Sequence, residues 1–131
     1  MVPYFCRTSS KFCQQDASKA KIPMSFSNYG SRVDVWGYGT GVTTTGYGGL
    51  FNGGTNRLYT SSFNGTSSAT PIVAGAVAVI SSVAKKQGKM ISPEQMREAL
   101  HKTGTPQDAN TTNIHIGNLP DIEAALKYLK I

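Results

Sequence analysis

A serine hydroxyl stands where a turn meets a long apolar stretch, in Asn64–Gly65–Thr66–Ser67–Ser68–Ala69–Thr70–Pro71. Asn-Gly is a turn signal, and the residues from Ser67 onward predict a helix. The unpaired backbone N–H groups of a helix N-terminus, together with the helix dipole, favour negative charge. An oxyanion develops when a serine attacks a carbonyl, so this position fits acyl transfer. The small residues Gly65 and Ala69 would let a substrate backbone approach closely.

Ser67 also fits a purely structural role. Serine is a common N-cap residue, because its side-chain oxygen accepts a hydrogen bond from the first turn of the helix. An isolated Gly-Thr-Ser-x-Ala segment would favour that role, so the surrounding chain has to decide between the two.

The predicted helix spans Ser67–Lys86 and is apolar on nearly every face, which predicts burial on all sides. Pro71 falls in its first turns, where a missing N–H is tolerated. The other predicted elements are short: strands at Val33–Trp36, Val42–Thr45, Leu58–Ser62 and Ile114–Ile116, a loop at 46–56, and two amphipathic helices, one capped by Ser92 with Pro93 and Gln95 and one starting at 118–121. This order predicts an α/β architecture with parallel sheet strands. These elements supply little cover for a fully buried helix, so the chain is expected to be part of a larger domain.

The serine segment resembles the Gly-Thr-Ser-x-Ala-x-Pro nucleophile motif of the subtilisin-like serine proteases, and Val73–Ala74–Gly75–Ala76 continues the resemblance. Flanking segments match in the right order: 25–30 and 33–35 upstream, 93–103 and 120–125 downstream. The resemblance covers about residues 25–126 and implies a partial three-layer subtilisin-like fold, with the buried helix starting at the nucleophile. We therefore divide the chain into a poorly matched stretch, residues 1–24, and the C-terminal part of a subtilisin-like peptidase domain, residues 25–131.

The resemblance implies that Ser67 is the nucleophile of a serine-type endopeptidase and that its backbone N–H is one oxyanion donor. It places Asn64, Gly65 and Thr66 in the nucleophile turn beside the substrate. Gly37–Tyr38–Gly39 stands where the family usually has Ala-Pro-Gly, and Ile72 stands where many members have His. We interpret both as tolerated variation that does not touch the nucleophile.

The family orders its triad Asp, His, Ser, and the first two are missing here. The two histidines, His101 and His115, both follow Ser67, and we interpret them as a solvated helix residue and a structural strand residue. Asp16 and Asp34 match no catalytic motif, and no segment is identified for the side-chain oxyanion donor. A serine without a base is a weak nucleophile, so we expect little or no proteolysis from this chain alone.

The 131 residues carry 13 basic and 7 acidic side chains, a net charge of +6. That balance raises nucleic acid as a partner, but many of the lysines fall at predicted helix ends, where the dipole favours them. The glycine-rich run 37–54 lacks the Gly-Lys-[Ser/Thr] ending of a phosphate loop. The longest apolar run, Pro71–Ile80, is too short to span a membrane. We therefore expect a polypeptide substrate, no nucleic acid and no membrane span.

Several properties follow from the resemblance alone. It implies secretion, although no signal peptide is visible at the start, and it raises calcium as a cofactor, although no acidic cluster marks a site. Cys6 and Cys13 fit a small-loop disulfide in an oxidising compartment and free thiols in a reducing one.

Three functional hypotheses remain open. The first is an endopeptidase represented by its C-terminal part, the missing N-terminal part lying in the same or another chain. The second is a non-catalytic relic or interaction module. The third, a basic nucleic-acid-binding module, rests only on net charge.

Overall fold

The computed structural model of the chain describes residues 23–109 and 113–131. Cys6, Cys13 and Asp16, and with them nearly all of the predicted N-terminal stretch, lie outside the described residues. The elements in chain order are β1 (Val42–Thr45), β2 (Phe51–Asn52), β3 (Leu58–Phe63), α1 (Thr66–Lys86), α2 (Pro93–Thr103), β4 (Thr105–Pro106), β5 (Asn118–Leu119) and α3 (Ile122–Tyr128).

Helix α1 begins one residue before the predicted start and ends where predicted, at Lys86. One stripe of the helix is buried, formed by Ser68, Ala69, Val73, Ala76, Ile80 and Ala84. This stripe packs with Val35 and with α2 and α3 into the main core, whose largest buried side chains include Ile80 and Leu100. The remaining circumference is largely exposed. The prediction of burial on all sides is therefore wrong for the described residues, because they cover α1 from one side only.

The two shorter helices begin as the sequence predicts. The Ser92 side chain accepts a hydrogen bond from the Gln95 N–H at 3.2 Å, and the Gln95 side chain accepts one from the Ser92 N–H at 2.9 Å. This reciprocal capping box, with Pro93 in the first turn, starts α2. Asp121 caps α3 by accepting from the Ala124 N–H at 2.9 Å. Because both helices supply core residues, these caps hold the elements that pack against α1.

Replacing Ser92 with alanine is expected to lower the free energy of unfolding by about 1 kcal/mol, because the Gln95 N–H loses the hydroxyl oxygen that accepts its hydrogen bond. Urea denaturation followed by circular dichroism measures the change. Ser81→Ala removes a hydroxyl from an exposed position inside α1 and is the matched control. Equal stability of the two variants would show that the capping box does not stabilise the fold.

The strands pair in two small antiparallel sheets, with order β1-β3-β2 in one and β4-β5 in the other. The sequence predicted parallel strands, and for these two sheets that prediction is wrong. Parallel pairing is confined, among the described residues, to a single bridge between Val35 and Asn118. The reason is connection length: β1, β2 and β3 follow one another through short loops, whereas parallel neighbours need a crossover of about a dozen residues. The predicted strand at 33–36 is reduced to this bridge, and the strand expected at 114–116 lies at Asn118–Leu119 instead.

Two distant segments meet at that bridge. The Gly30 N–H donates to the His115 carbonyl at 2.8 Å, and the Trp36 N–H donates to the Asn118 carbonyl at 3.0 Å. Gly117 lies between His115 and Asn118 in the sequence and has a φ of +77°. Trp36 and Ile116, both fully buried, form a second small core with Leu119. The contact joins residues 30–36, which precede β1, to residues 115–118, which precede α3.

Helix α1 also has the length and composition of a membrane-crossing helix. Its best window has a mean hydropathy of 1.6, and 33% of that window is buried. The core helix of a water-soluble enzyme has the same properties, so length and hydropathy do not distinguish the two. The expectation that the chain has no membrane span stays a prediction.

Candidate active site

The turn before α1 is built on glycine geometry. Gly65 occupies the N-cap position with φ +106°, a conformation that side-chain-bearing residues rarely adopt. A Cβ added at Gly65 would also lie 3.7 Å from the Ser67 Oγ. No side-chain hydrogen bond caps the helix at this position. The Ser68 N–H donates to the Gly65 carbonyl at 3.0 Å, and among the described residues no side-chain oxygen caps the other N–H groups of the first turn.

Ser67 is the second residue of α1, and its side chain is exposed. It is therefore not the N-cap residue, which removes the structural alternative considered from the sequence. A hydroxyl at this position stands beside the N–H groups that carry the positive end of the helix dipole. The arrangement suits a group that gains negative charge close to the serine.

The neighbouring hydroxyl lies in a different environment. Ser68 is only 2% exposed, and its Oγ has no hydrogen-bond partner among the described residues. Of the two adjacent serines, only Ser67 can be reached from solvent. A reagent that attacks serine hydroxyls at this turn therefore has a single accessible target.

The Asn64 side chain bonds to the backbone of β3 and to the backbone of the segment just before β1. Its Oδ1 accepts from the Gly41 N–H at 2.9 Å, and its Nδ2 donates to the Ser62 carbonyl at 2.8 Å. Asn64 therefore fixes the end of β3 against the approach to β1. Thr66 is exposed, and its carbonyl accepts from the Thr70 hydroxyl at 2.9 Å. Contact of Asn64, Gly65 and Thr66 with a substrate stays a prediction.

The Gly37–Tyr38–Gly39 segment lies directly behind this turn. The Gly65 N–H donates to the Gly39 carbonyl at 2.7 Å, and a Cβ added at Gly37 would come within 2.8 Å of the Ala69 carbonyl oxygen. The Tyr38 ring packs edge-to-face on Trp36, with ring centres 5.6 Å apart. Sequence reasoning treated this segment as remote variation. The structure places it against the first turn of α1. The signal in the sequence was that both contacting segments contain glycine, Gly37 and Gly39 in one and Gly65 in the other.

Gly37→Ala is expected to destabilise the chain by about 1–3 kcal/mol, because the backbone contact with Ala69 leaves no room for a methyl group. Thermal unfolding measures the loss. Gly75→Ala is the matched control: it adds the same methyl group inside α1, where a Cβ would meet nothing within 4 Å. That control should gain about 0.5–1 kcal/mol. A loss of stability in the control alone would contradict this account of Gly37.

Neither histidine reaches the serine. His101 is exposed in the last turn of α2, as expected. The His115 Nε2 lies 3.1 Å from the Val33 carbonyl oxygen, and His115 is exposed. Within residues 23–109 and 113–131, no hydrogen bond joins a histidine or a carboxylate to Ser67. The general base that a serine nucleophile needs is not among the contacts of this site.

Most of the pKa shifts arise in surface ion pairs that involve the helices. The pKa of Glu98 is lowered by hydrogen bonds from Lys102 and Tyr128, and the pKa of Arg97 is raised by its 2.6 Å hydrogen bond to Asp34. Asp34 thus has a structural partner on α2, in line with the structural role expected for it. In the part of the chain that the structure describes, no three His, Cys, Asp or Glu side chains gather as a metal site. Calcium stays a prediction of the resemblance.

Comparison with known proteins gives a consistent result. A sequence model described as the Subtilase family matches residues 14–118. Subtilisin BL of Lederbergia lenta is 35% identical over 103 residues, which are 79% of this chain and 33% of that protein. Alkaline elastase YaB of a Bacillus strain is 37% identical over the same length, 23% of its own sequence.

Solved structures agree. The patellamide maturation protease PatA superposes with a TM-score of 0.66 at 25% identity, covering 94% of this chain and 43% of that one. The Aeromonas sobria serine protease, crystallised with its chaperone, superposes with a TM-score of 0.68. At 20% identity that likeness shows the fold alone. The α/β subtilisin-like fold expected from the sequence is confirmed, and the chain spans about a third of subtilisin BL.

Proposed function

Because the chain belongs to the subtilase family, we propose that Ser67 is the nucleophile of a serine endopeptidase whose C-terminal part this sequence supplies. The observation that carries the proposal is the position of Ser67. It is an exposed hydroxyl on the second residue of a 21-residue helix, after an N-cap glycine that offers no capping oxygen. Backbone N–H groups at the start of a helix suit the oxyanion of acyl transfer.

The reaction would run in two steps on a polypeptide substrate. The Ser67 Oγ would attack the scissile carbonyl carbon while a base takes the hydroxyl proton, and that proton would pass to the departing amine as the peptide bond breaks. Water would then hydrolyse the acyl ester and restore the serine. Subtilisin is the type example of this mechanism, so the steps are taken over from the family. The base and its carboxylate partner would come from the rest of the catalytic domain, since no histidine precedes Ser67 here.

The lack of a histidine before Ser67 also favours a second candidate, a non-catalytic subtilase remnant or interaction module. Both candidates require that the chain alone hydrolyses little or no peptide, because a serine without a base is weakly nucleophilic. They differ once the missing part is supplied. For the first candidate, the family resemblance also implies a location outside the cell and raises calcium as a cofactor. The third candidate, a nucleic-acid-binding module, has only the net charge of +6 in its support.

Labelling with a fluorophosphonate probe, with mass spectrometry to locate the modified residue, separates the candidates. We expect no label on the chain alone. We expect label on Ser67 after mixing with the separately produced N-terminal part of the subtilisin BL catalytic domain. The C-terminal third of subtilisin BL, mixed with the same part, is the positive control. If that control is labelled and this chain stays unlabelled although the two parts bind, the remnant is the better description.

A further inference from the structure

The C-terminal ends of α1 and α3 lie side by side and bring four lysines together. Helix α1 ends with Lys85 and Lys86, and Lys89 follows shortly after. The Lys89 N–H donates to the Ala84 carbonyl at 2.9 Å, which keeps Lys89 beside the last turn of α1. The Lys89 Nζ donates to the carbonyl of Lys130, just after α3. Residues more than forty positions apart in the sequence thus share one surface.

These lysines and the residue after Lys89 form a surface that we call the basic patch: Lys85, Lys86, Lys89, Met90 and Lys130. All five residues are exposed. Within residues 23–109 and 113–131, no ion pair joins the four ammonium groups to an acidic side chain. Glu94 is the acidic residue closest to the patch in the sequence, and Glu123 pairs instead with Lys127 at 2.6 Å. The four charges are therefore available to a partner.

The helix dipoles account for only part of this positive charge. The C-terminal end of a helix has about half a negative elementary charge. The ends of α1 and α3 together therefore offset about one of the four lysine charges. The remaining charges repel one another, although water and salt screen the repulsion. The basic patch thus keeps a positive surplus that attracts anionic groups.

Met90 gives the basic patch an apolar centre. Its side chain is 93% exposed, the most exposed of the large apolar residues that the structure describes. A single exposed apolar residue is ordinary on a protein surface. Here it follows Lys89 directly, beside four cations without an acidic partner. Because the flexible methionine side chain adapts to many apolar shapes and is common at peptide-binding surfaces, the patch suits a ligand that is both anionic and apolar.

We propose that the basic patch is a docking surface for an acidic polypeptide that has apolar side chains among its carboxylates. The carboxylates pair with the lysine ammonium groups, and an apolar side chain packs on Met90. A polypeptide fits better than a nucleic acid, because the patch has no arginine to bind phosphate through two N–H groups and no aromatic ring for a base to stack on. Lys86 lies roughly 30 Å along the helix axis from Ser67, so the bound partner stays clear of the nucleophile turn.

Fluorescence anisotropy of a labelled peptide, composed of glutamates with two leucines among them, measures docking on the chain. The same peptide with glutamine in place of each glutamate is the control for charge. We expect the glutamate peptide to bind at about 20 mM salt and to lose at least about tenfold in affinity at about 300 mM salt, because the screening length shortens several-fold. The glutamine peptide should not bind.

Two sets of variants locate the binding surface. Lys85→Gln combined with Lys86→Gln should weaken binding about fivefold, because two of the four ammonium groups are lost from an exposed surface. Arg32→Gln combined with Arg57→Gln is the matched control: it removes the same net charge from exposed residues outside the basic patch and should leave the affinity unchanged. Met90→Ser should weaken binding about threefold through the lost apolar contact, at a position too exposed to matter for folding.

Equal losses in the lysine and arginine variants would overturn the proposal, because binding would then depend on net charge alone. Equal binding of the two peptides, or no binding at low salt, would overturn it as well. An unchanged affinity in Met90→Ser would refute the apolar part of the proposal. A single-stranded oligonucleotide with the same number of charges represents the other class of partner, and tighter binding of it than of the glutamate peptide would decide for nucleic acid. None of these measurements involves Ser67, so the proposed function is tested separately.

Discussion

Replacing Ser67 with alanine is expected to abolish both fluorophosphonate labelling and peptide hydrolysis in the assembly of this chain with the N-terminal part of a subtilase domain. The Ser67 Oγ is the atom that would form the acyl ester, and the neighbouring Ser68 hydroxyl is buried. In subtilisin, loss of the nucleophile costs about 10⁶-fold in kcat, and this magnitude is taken over from the family. A steady-state assay on a peptide substrate measures it.

Ser68→Ala is the matched control, one residue along the same helix. The Ser68 hydroxyl is buried and has no hydrogen-bond partner among the described residues, so removing it should leave labelling intact. Removal of an unpaired buried hydroxyl should leave stability equal or slightly higher, because the desolvation cost of that group disappears. Labelling that survives Ser67→Ala and disappears in Ser68→Ala would show that the wrong serine has been assigned.

The second large effect is expected at Gly117, where alanine should destabilise the chain by about 3 kcal/mol or more. An added Cβ would lie 2.2 Å from the Asp34 carbonyl oxygen and 2.6 Å from the Val35 nitrogen. These are backbone atoms, which cannot relieve a steric clash by a change of rotamer. Overpacking alone costs about 1–3 kcal/mol. The φ of +77° adds about 1–2 kcal/mol for any residue with a Cβ. Urea denaturation should show a strongly lowered midpoint.

Gly88→Ala separates the two causes. Gly88 follows α1 with φ +69°, nearly the value at Gly117, and a Cβ there would meet nothing within 4 Å. Alanine at Gly88 therefore has the conformational cost without the clash and should lose only about 1–2 kcal/mol. Similar losses in both variants would mean that residues 33–36 and 115–118 move apart and so accommodate the methyl group at position 117.

The sequence predicted the helices well, because their signals are local. The start of α1 after a glycine turn, the capping box at Ser92 and the start of α3 after residues 118–121 all depend on neighbours within four residues. Each appears in the structure within about one residue of its predicted position. Among the strands, 42–45 and 58–62 were found for the same reason, as short runs of β-forming residues between turns.

The sheet pairing was predicted less well, because it depends on partners far away in the sequence. The segment at 33–36 has the composition of a strand, but its one bridge, between Val35 and Asn118, is to a residue far along the chain. The strand expected at 114–116 failed because Gly117, with its positive φ, turns the chain there and shifts the pairing to 118–119. Local composition contains no information about either partner.

At the candidate site, the sequence placed Ser67 at the start of α1 but did not indicate the contacts that hold the turn. The exposed hydroxyl at the start of α1 followed from the turn signal and the apolar run. The contacts of Gly37 and Gly39 with the first turn did not, because they join residues about thirty positions apart. Asn64 was expected to shape the turn, and its two side-chain hydrogen bonds to Gly41 and Ser62 are the means.

The packing of α1 against later segments bears on how the chain folds during synthesis. Apart from Val35, the buried residues that cover its inner stripe come from α2 and α3, which the ribosome makes afterwards. Likewise, the His115 ring meets the Val33 carbonyl across 82 positions. An emerging α1 would lack most of this cover until α2 and α3 had left the exit tunnel. At ~5–20 residues per second this interval lasts seconds, during which an apolar 21-residue helix is a natural client for chaperones.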